Sequence, residues 1–167
     1  INLIKELEGW SAHCYTDGAG YKTTGWGHLV DKNENCPDPI TKEQGEAFLA
    51  QDIAEAEHII NSTVDVKLLQ REYDSLVSFV FNVGGTAWAK SETLKLINQG
   101  HLHRVPARLM MWSKITSNGK KVDSEGLINR RLKEVDLWRE KKQKRSSKSE
   151  SYTTSNGLTT LMRRGHG

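Results

Sequence analysis

The chain has 167 residues, 36% of them hydrophobic and 27% charged, with five Trp. This is the composition of one globular domain or two small lobes with a core of their own, and it excludes a disordered or fibrous chain. The net charge of +3 is divided unevenly: residues 1–138 carry 16 Lys and Arg against 19 Asp and Glu, whereas residues 139–167 carry 8 against 2.

Leu3, Ile4, Leu7 and Trp10 follow helical spacing and predict a short amphipathic helix over residues 1–10. Residues 15–30 are rich in Gly, Thr and aromatics and predict a β-hairpin with tight turns. Asn33, Asn35, Pro37 and Pro39 mark a loop over 31–40. Thr41 and Gln44 form a capping box, and Leu49, Ile53, Ala56 and Ile60 carry the helix that follows to about Asn61. The segment from about Lys67 to Val83 is apolar nearly all round, as the central helix of a lobe must be, and Gly84-Gly85 ends it. Shorter helices are expected over Ser91–Asn98 and Leu102–Trp112, with Pro106 near the first turn of the second. A last helix starts near Ser124 and carries Ile128, Leu132, Val135 and Trp138. Beyond it, residues 139–167 are basic and Ser/Thr-rich and predict a flexible tail.

These elements make an α+β fold. A small N-terminal lobe (1–40) holds the hairpin, one long helix (41–61) leads out of it, and a larger lobe (62–138) is all helical. Two lobes joined this way leave a cleft between them. No run approaches the ~20 apolar residues of a transmembrane helix, no signal peptide is visible, and a start at Ile1 rather than Met is what a trimmed N-terminus would give. The two cysteines, Cys14 and Cys36, form no CxxC motif, which excludes the zinc and thioredoxin readings. One disulfide or two free thiols fit the sequence, and a free, buried Cys14 is the expectation. No metal-ligand cluster is evident, so no cofactor is expected.

Three residues could carry chemistry together. Glu8 lies at the edge of the buried stripe of the first helix, where partial burial disfavours a carboxylate and suits a general acid. Asp17 opens the hairpin among polar neighbours, as an ionised carboxylate would. With the turn centred on Gly20, Thr23 is expected to face Asp17, so that a carboxylate and a hydroxyl hold one water. A protonated acid and a water-holding carboxylate are the equipment for glycosidic hydrolysis.

The run Leu7-Glu8-Gly9-Trp10, followed by Tyr15-Thr16-Asp17-Gly18-Ala19-Gly20-Tyr21-Lys22-Thr23-Thr24-Gly25-Trp26-Gly27-His28, resembles the signature of the phage-type lysozymes, glycoside hydrolase family 24. That family spaces its Glu, Asp and Thr with eight and then five residues between them, as Glu8, Asp17 and Thr23 are spaced. Tyr73 to Phe79 and Phe81-Asn82-Val83-Gly84 resemble its central helix; Trp112, Gly126-Leu127, Arg130-Arg131 and Glu134 resemble its closing helices. The resemblance covers residues 1 to 138 and leaves the tail outside.

The resemblance implies a lysozyme-like two-lobe fold and an endolysin-type muramidase. Its substrate would be the β-1,4 bond between N-acetylmuramic acid and N-acetylglucosamine in bacterial peptidoglycan. Glu8 would be the acid, and Asp17 with Thr23 would position and deprotonate water. Leu29, Phe81 and Thr93 are similar to residues that line the saccharide groove. His28 is expected to be a structural hydrogen-bond partner of the other lobe. Arg130-Arg131 would either meet the peptide stem or pair with Glu134 or Glu125. The expected enzyme is a monomer that requires no nucleic acid, is made in the host cytoplasm and acts on the wall from the periplasm, by an export route the sequence leaves open. The alternatives are a lytic transglycosylase, which needs no Asp17, and a non-catalytic wall-binding module.

Overall fold

The computed structural model describes residues 2–140. The basic tail from residue 141 onward lies outside the described residues.

Helix α1 (Asn2–Glu8) ends where Gly9 turns to a φ of +68° and returns its N–H to the Lys5 carbonyl at 3.0 Å. That left-handed residue suits glycine, and it makes Glu8 the last residue of the helix. Strands β1 (Ser11–Thr16), β2 (Lys22–Gly25) and β3 (His28–Leu29) form an antiparallel sheet in the order β1-β2-β3. Helix α2 (Lys42–Thr63) starts on the capping box read in the sequence: Thr41 Oγ1 accepts from the Gln44 N–H at 3.2 Å, and Gln44 Oε1 accepts from the Thr41 N–H at 2.8 Å.

Helix α2 meets the hairpin lobe at Gly45. A Cβ there would lie 2.3 Å from the Trp10 ring, so only glycine lets the helix seat against the tilted Trp10–Trp26 pair, whose centroids are 4.5 Å apart. Lys42 and Lys5 cover that pair, 3.9 Å from the Trp10 centroid and 4.5 Å from the Trp26 centroid respectively.

The central helix α3 (Gln70–Val83) packs on α2 and on α7 (Glu125–Arg139), with Leu76, Phe79 and Val80 fully enclosed. Gly84 ends it, but Gly85 begins a further short helix, α4 (Gly85–Ala89), which the sequence does not predict. The close approach of α4 to α2 accounts for this glycine: a Cβ on Gly85 would lie 2.8 Å from Ile59 Cδ1. Helix α5 (Glu92–Asn98) follows, capped by Ser91 Oγ. The helix expected over Leu102–Trp112 is a 3₁₀ turn (Leu102–Arg104) running into a shorter α6 (Val105–Met110).

Two expectations are corrected. The larger lobe is not all helical: strands β4 (Lys114–Ser117) and β5 (Lys120–Asp123) pair antiparallel across Asn118-Gly119, both at positive φ. Such a turn matches the twist of the strands it joins. Secondly, Cys14 is not free: Cys14 and Cys36 form a disulfide. The loop after the hairpin lies alongside β1, where the Ile40 N–H bonds the Ala12 carbonyl at 2.9 Å and His13 Nδ1 meets Asp38 Oδ1 at 2.7 Å, and this brings the two cysteine Cα atoms to 6.1 Å. No helix among the described residues is long and apolar enough to cross a membrane.

Candidate active site

Glu8 leaves the end of α1 with its side chain 21% exposed. Its Oε1 accepts from Arg130 Nη1 of α7 at 2.5 Å. On the other side a Cβ at Gly27 would lie 2.6 Å from Glu8 Oε2, and Gly27 holds φ +76°. The β2–β3 turn therefore rests directly on the carboxyl, and only a residue without a side chain allows it.

Arg130 is itself held on three sides. Nε faces Glu134 Oε1 at 3.3 Å and Nη2 donates to the Ser78 carbonyl at 3.3 Å, besides the bond to Glu8. Glu134 is fully buried and accepts from Ser78 Oγ at 2.8 Å, with Arg131 Nε 3.1 Å from its other oxygen. Burial pushes the Glu134 carboxyl upward from its ordinary pKa, against the two guanidiniums and the Ser78 hydroxyl. Burial likewise pulls Arg131 down to about 10, which Glu134 opposes. Arg130 thus pairs with Glu134, as one reading of the sequence has it, but its contact to Glu8 spans 122 residues and no local signal announces it.

Asp17 sits at the hairpin turn. Its Oδ1 accepts from the N–H groups of Ala19 and Tyr21, each at 2.9 Å, which leaves Oδ2 for other work. Thr23 is buried on β2, and Thr23 Oγ1 donates to the Tyr21 carbonyl at 3.2 Å. The expected pairing of Asp17 with Thr23 is corrected here. Thr23 stands opposite Tyr15 in the ladder, and the Asp17 N–H bonds the Tyr21 carbonyl. A turn centred on Ala19, one residue before Gly20, accounts for the difference. The link between Asp17 and Thr23 runs through Tyr21, whose N–H and C=O each hold one of them.

Tyr15, on β1, is a further titratable group of this region. Its phenol is raised above its ordinary pKa by burial first, then by the charge of Glu8, then by that of Asp17.

Leu29 and Phe81 line one cavity of about 280 Å³, with Gly27, Asp52, Ala56 and Gly84. Leu29 stands at its rim, 55% exposed. Gly27 belongs both to this cavity and to the contact with Glu8. Thr93 is placed elsewhere: it is 1% exposed in the first turn of α5, does not line this cavity and offers no surface to a saccharide. His28 bonds Asp52 of α2 through Nδ1 at 2.9 Å and stacks on Phe48, so it joins the hairpin to the long helix.

Comparison with known proteins gives a consistent picture. The family model "Phage lysozyme" matches residues 5–134. An endolysin of Acyrthosiphon pisum secondary endosymbiont phage 1 is 43% identical over 136 residues, covering 81% of this chain and 92% of that protein. The solved endolysin from Escherichia coli O157:H7 phage FAHEc1 superposes with a TM-score of 0.75 at 35% identity, covering 82% of this chain and 88% of that one. The muramidase domain of SpmX from Asticaccaulis excentricus superposes with a TM-score of 0.76 at 28% identity, covering 84% and 94%. The chain therefore belongs to the phage lysozyme family, the peptidoglycan-hydrolysing endolysins.

Proposed function

We propose that this endolysin is an N-acetylmuramidase that hydrolyses the β-1,4 bond between N-acetylmuramic acid and N-acetylglucosamine, with Glu8 as general acid and Asp17 as general base. Glu8 gives its proton to the glycosidic oxygen as the bond from C1 to that oxygen breaks. A water held by Asp17 Oδ2 forms the new bond to C1 and passes its proton to the carboxylate. Thr23 positions Asp17 indirectly, through the Tyr21 peptide that both engage. Leu29 and Phe81 pack against the apolar faces of the sugar rings. The single observation that carries this reading is Gly27, which rests on the Glu8 carboxyl and also lines the cavity with Leu29 and Phe81. Asp17 follows the first strand of the same sheet, whose β2–β3 turn carries Gly27.

Arg130 has a place in the cycle. Its contact stabilises the Glu8 carboxylate left after proton donation, while Glu134 and Ser78 keep the guanidinium partly neutralised and oriented. The protein works as a monomer, requires no nucleic acid, is made in the bacterial cytoplasm and meets the wall from the periplasmic side.

The test is digestion of purified peptidoglycan by the intact protein, Glu8→Gln and Asp17→Asn, with product analysis. New reducing ends at N-acetylmuramic acid, lost in both variants with folding retained, are the expected result. Ends of the 1,6-anhydro type would replace this reading by a transglycosylase, and pelleting with wall fragments without cleavage would replace it by a binding module.

A further inference from the structure

The β4–β5 hairpin has no evident task in the fold. Every residue of both strands is exposed, and the pair directly opposite each other on the outer face, Ile115 and Val122, are 47% and 40% exposed. The other face carries chemistry. The register places Thr116 opposite Lys121 and Lys114 opposite Asp123, so these four share a face. From that face Lys114 and Lys121 reach a cavity of about 520 Å³ whose remaining wall includes Asn82, Met111, Trp112 and Leu127. Lys114 Nζ lies 3.7 Å from Asp123, whereas Lys121 has no acidic partner within ion-pair distance among the described residues. Lysines on an exposed strand commonly serve only to discourage edge pairing. These two differ in that they flank a hollow with an aromatic wall.

The position of the hollow matters as much as its charge. The three consecutive residues Phe81, Asn82 and Val83 end helix α3. Phe81 lines the cavity beside Gly27 and Leu29, while Asn82 and Val83 line the hairpin cavity. Asn82 and Leu127 also belong to a further hollow that reaches Arg130, the partner of Glu8. Asn82 and Leu127 are thus common to the hollow at Arg130 and the hollow at the two lysines. In peptidoglycan the sugar next to the scissile bond carries a short peptide on its lactyl group, and that peptide bears free carboxylates. Four extended residues reach about 13 Å.

We propose that Lys114 and Lys121 form a carboxylate-reading subsite for the peptide stem of the substrate, so that the enzyme prefers walls whose stem carboxylates are free to walls in which they are amidated. The inference rests on the peptidoglycan reading given above and adds the part of the substrate that it leaves unassigned. The body of the protein is net acidic, so a local cationic face is needed to admit an anionic stem. An amide keeps the shape of the acid and removes its charge, which isolates the contribution of the lysines.

The experiment uses insoluble sacculi with free stem carboxylates and the same sacculi after carbodiimide amidation. Binding is read by pelleting of the Glu8→Gln protein, and KM by release of reducing ends with the intact protein. Binding to the free-acid wall is expected to be about three- to fivefold tighter, the size of an exposed charge pair, and the difference is expected to shrink as salt is raised. Lys114→Gln/Lys121→Gln, on exposed strands, is expected to bring the free-acid wall to the level of the amidated one. Equal affinity for both walls, or a preference that survives the double substitution, overturns the subsite. Should Glu8→Gln fold poorly, the KM ratio of the intact and doubly substituted proteins decides alone. Failure of the intact protein to cleave either wall speaks instead against the muramidase reading, because the pelleting arm needs no turnover.

Discussion

Arg130 donates from Nη1 to Glu8 Oε1 at 2.5 Å, and so joins the last helix of the described chain to the last residue of its first. The guanidinium is almost wholly buried, and its three contacts come from α1, α3 and α7. Arginine suits this place because a planar fork can serve three acceptors at once, whereas a lysine is a single point charge. Arg130→Lys is expected to lower the rate of wall clearing by about tenfold, the value of one charge-assisted hydrogen bond at its lower end. A rate within twofold of the intact protein, with the same melting temperature, would remove Arg130 from the mechanism.

Glu134 is the buried partner on which that arrangement leans. Removing it leaves Arg130 and Arg131 facing each other in the core with only Glu8 to balance them. Glu134→Ala is expected to cost about 3–5 kcal/mol of stability, the usual penalty for stranding buried charge. Denaturant midpoints at constant slope measure this. A cost near zero would mean that the pair relaxes into solvent.

Substitution of Gly27 tests the role proposed for Glu8 without altering Glu8 itself. An alanine there would be strained by the positive φ, and its methyl would overlap Glu8 Oε2 at 2.6 Å. Gly27→Ala is expected to cost about 1–3 kcal/mol for the backbone conformation. By pushing the carboxyl aside it is also expected to reduce kcat by about 100-fold, in line with a small misplacement of a catalytic group. Circular dichroism separates the two effects, and full activity in a folded Gly27→Ala protein would show that the contact is loose.

Tyr15 provides a direct reading of whether the two carboxyls share a neighbourhood. Its phenol is raised by burial, and further by Glu8 and Asp17. The folded value above that of the unfolded chain means that the native state holds this proton more tightly. The associated stability is present below about pH 10 and is lost as pH rises through the raised value. Glu8→Gln and Asp17→Asn are each expected to move the Tyr15 titration downward, Glu8→Gln by more, with part of the shift remaining from burial. NMR titration of the tyrosine ring carbons checks this. A value indifferent to both substitutions would part the carboxyls.

The Cys14–Cys36 disulfide closes a loop over 22 residues of sequence that contains the Asp17 turn and strands β2 and β3. Loop-closure entropy assigns such a bridge about 3 kcal/mol. Cys14→Ser/Cys36→Ser is expected to lose about that much stability and to retain wall clearing well below its melting temperature. Unchanged stability would mean that the His13–Asp38 contact and the Ile40–Ala12 bond hold the loop unaided.

What the sequence disclosed follows the range of the forces involved. The Thr41 capping box, the stripe of α2 and the apolar α3 are local patterns, and each appears where residue spacing predicts it. Glu8, Asp17 and Thr23 were legible as candidates by type and spacing. Their connection was not, because a hairpin's register depends on the length of its turn, and here Tyr21 rather than Thr23 closes on Asp17. Arg130 and the disulfide depend on tertiary approach, and a single sequence carries little of that. The β4–β5 hairpin was within reach: Asn118-Gly119 between Ile115 and Val122 is a turn signal that goes unread when a lobe is taken to be all helical.

Glu8 is fastened through Arg130 to the helices, and Asp17 is fastened to its own turn by two backbone N–H groups. In the proposed mechanism the proton donor and the water holder thus ride on different parts of the molecule, with the His28–Asp52 contact among the ties between sheet and helix. Were the sheet to flex against the helices, the gap between Glu8 and Asp17 would change with it, and under the proposed mechanism the stiffness of that tie would bear on the rate.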